Sequence, residues 1–185
     1  MDDSELSLRD DMTVDYFIRV EDVPPTGRDT SFELPEEMRA TLTQRFAVEN
    51  LDALKVDARL VPLDKQCLHV TGKVQGRVEQ ICGVTLEPMW TEIAQSFSAE
   101  FQPESMVGKF VIPDDDFETD LPETLQDGAA NIGELAIQVF AMEIPAYPRK
   151  EGVVFETTAA NVEKVGSPFS VLADFHKASS GDDDT

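Results

Sequence analysis

From Leu54 to Cys82 the side chains alternate with a period of two, and no other feature constrains the fold so tightly. Leu54, Val56, Ala58 and Leu60 alternate with Lys55, Asp57 and Arg59. That is the pattern of a strand with one buried and one solvated face. Residues 66–82 continue it, with Leu68, Val70, Val74 and Val78 sharing a face with Gly72 and Gly76. Cys67, His69, Thr71, Lys73, Gln75, Arg77 and Glu79 share the other. Glycines inside a strand mark a bend, a bulge or a close backbone approach, and a strand this long is expected to bend sharply near one of them. Strict alternation points Cys82 inward with Val78.

A further strand is expected over 90–101, with Ile93, Phe97, Ala99 and Phe101 on its apolar face. TVDYFIRV (13–20) and TSFEL (30–34) also read as strands, separated by the breaker PPTGR. Two segments switch to helical spacing. Pro35, Glu36 and Glu37 suit a first helical turn, and Met38, Leu42 and Phe46 then mark a helix over 36–47. In 131–144, Asn131 is an N-cap and Glu134 completes a capping box. Ile132, Leu135, Ala136, Val139 and Phe140 form its apolar stripe, widened by Ile137 and Met142, and Pro145 and Pro148 end it. The expected fold is α+β. It has a curved, partly barrel-like antiparallel sheet of about five strands and two main helices, the second docked on the sheet.

A chain of 185 residues can bury one sizeable core, so 1–180 reads as a single domain and the GDDDT of 181–185 as a disordered tail. Charge is the unusual bulk property: 37 acidic residues against 15 Lys and Arg give −22. Residues 1–40 carry −8 and read as an acidic arm, 100–127 carry another −8, and 41–99 only −1. The stretch 103–128, with three prolines, two glycines and Asp114, Asp115 and Asp116, reads as an acidic surface loop. Such a field repels polyphosphate and attracts basic partners; the plainer reading is that it keeps the protein soluble. No apolar run approaches the roughly 20 residues that span a bilayer. The N-terminus is acidic where a signal peptide would be basic, so the chain reads as cytoplasmic with no membrane partner.

Little in the chain points to catalysis. G-x-S-x-G, G-x-x-x-x-G-K-[ST] and H-E-x-x-H are all absent, and only His69 and His176 offer the usual acid–base agent. Cys67-x-His69 with Cys82 supplies three soft ligands, where a structural zinc site wants four. The expectation is a non-enzyme without metal or cofactor, both cysteines being free thiols, and the distant alternative is a metal- or thiol-dependent enzyme. One candidate RNA surface exists. Lys55 and Arg59 share an outward face, as do Lys73 and Arg77, so pairing of their strands would form a basic patch. No aromatic ladder accompanies it. The competing reading is a solvated sheet face laced with cross-strand ion pairs.

Val78, Gln80 and Cys82, followed by Val84, Thr85, Leu86, Glu87 and Pro88, resemble a motif of the YceD family. Many members carry C-x-R-C-L-E-P; a subgroup typical of alphaproteobacteria has C-V-V-T-L-E-P, which this chain resembles with Gly83 for the first valine. The resemblance extends to NIGELAIQVFAMEIPAYPRKEG (131–152) and SPFSVLADFHK (167–177). Members are described as large ribosomal RNA subunit accumulation proteins and are commonly encoded beside a small large-subunit ribosomal protein. The resemblance therefore implies a non-enzymatic role in 23S ribosomal RNA accumulation and large-subunit biogenesis. With Thr85 in place of the second cysteine, Cys82 is expected to be a small buried apolar residue rather than half a metal site. On the charge map, the favoured partner is a basic large-subunit ribosomal protein held by Asp114, Asp115 and Asp116. The runner-up is direct binding of 23S ribosomal RNA or a pre-ribosomal particle through Lys55, Arg59, Lys73 and Arg77.

Overall fold

The alternating stretches become three long neighbouring strands. The computed structural model describes residues 5–107 and 121–153. In chain order these form β1 (Ser7–Leu8), β2 (Val14–Asp15), β3 (Phe17–Arg19), β4 (Arg28–Glu33), α1 (Glu36–Phe46), β5 (Asn50–Pro62) and β6 (Leu68–Ile81). There follow β7 (Pro88–Gln102), the single turn α2 (Glu104–Val107), β8 (Glu123–Thr124), β9 (Ala129–Asn131) and α3 (Ile132–Met142). The main sheet has the order β4-β5-β6-β7-β8. Its first four strands are antiparallel neighbours, and β8 adds in parallel to the end of β7. The fold is α+β, as expected, and among the described residues the sheet does not close into a full barrel, β4 and β8 being its outermost strands.

One face of this sheet is the core. Leu54, Val56, Leu60, Leu68, Val70, Val74 and Val78 are fully buried on it, together with Ile132, Ile137 and Phe140 of α3. The glycines of β6 make room for rings. A Cβ on Gly76 would collide with the Phe140 ring and the Ala53 carbonyl, and one on Gly72 with the Phe97 ring. No β-bulge interrupts the pairing of β6 with β7 at either glycine. Pairing of β6 with β7 runs unbroken from Leu68–Phe101 to Ile81–Pro88, and the register shift lies in β5, between Leu51 and Ala53.

Within the stretch read as an acidic arm, residues 7–19 form short paired strands. The expected strand over 13–20 breaks at Tyr16: β2 pairs with β1, and β3 pairs with β9. Val14, Tyr16 and Ile18 all enter the core, and the Tyr16 ring lies 4.4 Å from that of Phe32. The main sheet takes β8 as its fifth strand, from within the stretch read as a loop. Two-residue strands have no period to read, so composition alone could not reveal it.

Helix α3 starts as expected but is wired differently. Asn131 accepts from the Glu134 N–H (3.2 Å) and the Tyr16 N–H (3.1 Å), and donates to Asp15 (2.8 Å). The Glu134 carboxylate does not close a capping box, since the Asn131 backbone already lies in the β3–β9 ladder. It accepts two bonds from Arg45 of α1 (2.5 and 3.0 Å) and one from the Val14 N–H (3.3 Å). Burial would raise the pKa of Glu134, but the bonds from Arg45 and Gln138 outweigh it and hold the carboxyl below its ordinary 4.5. A depressed carboxyl adds stability that is complete above the unfolded-state pKa and lost as pH falls through the folded one. Wild type should therefore lose stability faster than Glu134→Gln on acidification below about 4.5, as denaturant midpoints across pH would show.

The apolar stripe of α3 also divides. Ile132, Ala136, Ile137 and Phe140 are buried, Leu135 and Val139 are half-buried, and Met142 is 76% exposed. Val139 thus lies at the margin of the core. Among the described residues no helix is long and apolar enough to cross a membrane. Asp114, Asp115 and Asp116, the segment 167–179 and the tail 181–185 lie outside the described residues.

Candidate functional site

Between Ile81 and Pro88 the chain must reverse, and residues 82–87 do so with Cys82 at the pivot. The Cys82 N–H donates to the Glu87 carbonyl and the Leu86 N–H to the Cys82 carbonyl, both at 2.9 Å. Leu86 takes the left-handed conformation, φ +57°, uncommon for a residue with a Cβ, and its side chain is 76% exposed. Pro88, lacking an N–H, suits the first position of a strand.

The segment after α3 returns over this turn. Gly83 N–H donates to Pro148 O (2.9 Å), Gln80 Nε2 to Pro145 O (2.9 Å), and Lys150 Nζ to Glu87 (2.7 Å). Gln80 and Cys82 are buried, and Tyr147 stands 86% exposed. The motif residues Gln80, Cys82 and Glu87 therefore fasten the 145–150 segment, while Leu86 and Tyr147 project into solvent. Sequence reading placed both stretches in one pattern but missed that they touch. Two prolines directly after an apolar helix were the available signal that the chain folds back there.

Cys82 is buried as expected, but its surroundings are not apolar. Its Sγ accepts from the backbone N–H of Thr85 and of Lys150, each at 3.5 Å. The Thr85 hydroxyl, then the N–H groups of Thr85, Lys150 and Val84, lower its pKa from the ordinary 9.0 to about 6. The native state then binds fewer protons than the unfolded chain between these values, so stability rises with pH across that window. Cys82→Ser should flatten that slope while leaving zinc content at background. Stoichiometric zinc lost in the variant would contradict the reading. Among the described residues no three His, Cys, Asp or Glu side chains converge as a ligand set.

Cys67, expected on the outward face, is instead buried in the turn before β6, its Sγ 4.0 Å from Met106 Sδ. Burial and neighbouring Asp64 push its thiol pKa up. The two cysteines flank opposite ends of the 14-residue β6, about 50 Å apart along the strand, and cannot share a metal or a disulfide.

Lys55, Arg59, Lys73 and Arg77 do come together on the outer sheet face, each beside a carboxylate. Lys55 meets Asp57 (3.1 Å), Arg59 meets Asp29 (2.8 Å) and Arg77 lies 3.8 Å from Asp52. Lys73 is the cross-strand partner of Asp57, whose pKa it helps lower after the larger effects of Ser31 and Lys55. Glu33, Glu79, Glu92 and Glu100 share the face by register. One aromatic contributes: Arg77 lies over the Trp90 ring at 4.6 Å.

The family described as large ribosomal RNA subunit accumulation protein YceD matches residues 70–176, more than half of the 185-residue chain. The chain belongs to the YceD family. The YceD match takes in β7, α3, the Cys82 turn and the segment fastened over it, whereas Lys55 and Arg59 lie before it. No curated protein and no solved structure matches the chain.

Proposed function

We propose that this YceD-family chain supports 23S ribosomal RNA accumulation during large-subunit biogenesis, without catalysing a reaction, by binding a basic large-subunit ribosomal protein. The observation that carries the choice of partner is the outer sheet face. Its four bases stand among carboxylates on a chain of net charge −22, so little field remains to draw a phosphate backbone. A basic protein meets no such barrier, and its association is fast and salt-sensitive. The acidic stretch around Asp114, Asp115 and Asp116 supplies part of that attraction.

The stacked Arg77–Trp90 pair favours the second reading, direct RNA binding, since an exposed aromatic beside a guanidinium can stack a base. Charge neutralisation separates the two. Asp114→Asn, Asp115→Asn and Asp116→Asn together should weaken retention of the basic ribosomal protein, while Lys73→Gln with Arg77→Gln should change it little. Tight binding of 23S fragments that is lost with Lys73→Gln and Arg77→Gln would establish the RNA reading instead.

A further inference from the structure

Among the described residues, strand β7 is paired on one side only for most of its length. β6 covers it from Pro88 to Phe101, but on its other side β8 reaches only Phe101 and Gln102. Among the described residues nothing pairs with the outer edge of Pro88–Glu100. An open edge offers a row of unpaired N–H and C=O groups, which folded proteins blunt with bulges, prolines, lysines or inward charges. β7 uses none of these over its middle. Its ladder has no bulge, and Ile93–Ala99 contains no charged residue and no proline.

Beside this edge lies a groove of about 700 Å³ between β7 and α3. Phe97, Ala99, Leu135 and Val139 give it an apolar floor, and Met142 and Leu121, 76% and 56% exposed, give it open apolar walls. Among the described residues its lining carries three carboxylates, Glu100, Glu123 and Glu143, and no Lys or Arg, with His69 beside them. Strand addition draws affinity from the backbone edge and specificity from pockets that take alternate side chains. A matching ligand is extended, places an apolar side chain in the groove at every second residue, and carries Lys or Arg against the rim. A second copy of this chain would bring its own three carboxylates to the rim and be repelled.

We propose that the edge of β7, from Ile93 to Glu100, is a strand-addition site for an extended basic segment of a partner protein. The partner's chemistry rests on the protein-binding reading above; the edge itself does not. The probe is a ten-residue peptide alternating Lys with Val, set against one of equal charge alternating Lys with Gly. Binding to the full chain is measured by titration, together with amide exchange along β7. The Lys–Val peptide should bind at least tenfold tighter than the Lys–Gly peptide and slow exchange in Ile93–Glu100. Ser96→Lys with Ser98→Lys, both exposed, should cut that affinity at least tenfold and leave the denaturant midpoint unchanged. Met142→Lys should weaken it by a smaller factor. Equal binding of the two peptides, unchanged binding by the lysine variant, or edge amides already protected in the free chain would each overturn the site. A basic ribosomal protein held equally by wild type and the lysine variant would also overturn the edge, leaving the protein-binding reading intact. Its failure to bind wild type at all, with the Lys–Val peptide still protecting β7, would overturn that reading and leave the edge.

Discussion

Phe140→Ala should destabilise the protein by about 3–5 kcal/mol, the range for a large aromatic removed from a packed core. The ring is fully buried, lies 5.6 Å from that of Phe46 on α1, and fills the space over Gly76 that any Cβ would take. One side chain thus joins α1, α3 and the sheet. The loss should appear as a lower midpoint in urea with little change in slope. By contrast, Val139→Asp puts its charge at the margin of the core, beside open groove, and should cost less than Phe140→Ala. A Phe140→Ala midpoint equal to wild type would mean that α3 does not rest on the sheet as described.

Gly133→Ala should also be destabilising, although alanine ordinarily improves a helix by about 1 kcal/mol over glycine. The added Cβ would lie 2.7 Å from the Val14 carbonyl oxygen and 2.9 Å from the Tyr16 nitrogen. Both are backbone atoms, which cannot swing aside as a side-chain tip can. The start of α3 must move away from β2 and β3, which strains the bonds of Asn131 to Tyr16 and Asp15. Overpacking of this kind costs about 1–3 kcal/mol, sometimes more, and outweighs the propensity gain. Thermal or urea unfolding checks the sign: a more stable variant would contradict the close approach.

What the sequence made legible follows from how burial is distributed. Strands β5, β6 and β7 each keep one face buried or half-buried, so alternation survives and even the inward turn of Cys82 could be read. Helices α1 and α3 announce themselves through Pro35, Asn131 and their apolar spacing. The pieces that escaped are short or depend on distant partners. Nothing in Glu123–Thr124 signals a parallel pairing with Phe101–Gln102, and Tyr16 gives no sign that its strand changes partner there. The same limit applies to the sites. The face shared by Lys55, Arg59, Lys73 and Arg77 was readable from parity, but its neutralisation by Asp29 and Asp52 depends on register and side-chain reach. The polar setting of Cys82 depends on Lys150, 68 positions away, so a thiol in an apolar-looking strand read as filler.

The role proposed for this chain is to hold a basic protein rather than RNA. The most direct test is a salt titration of the purified full chain against two partners in parallel, a basic large-subunit ribosomal protein and a 23S ribosomal RNA fragment. The protein should be retained at low ionic strength and released as salt rises past roughly 0.15 M, where the Debye length falls to about 8 Å. The RNA fragment should stay unbound throughout. Tight, salt-dependent binding of the RNA fragment, with no retention of the ribosomal protein at any salt, would contradict it.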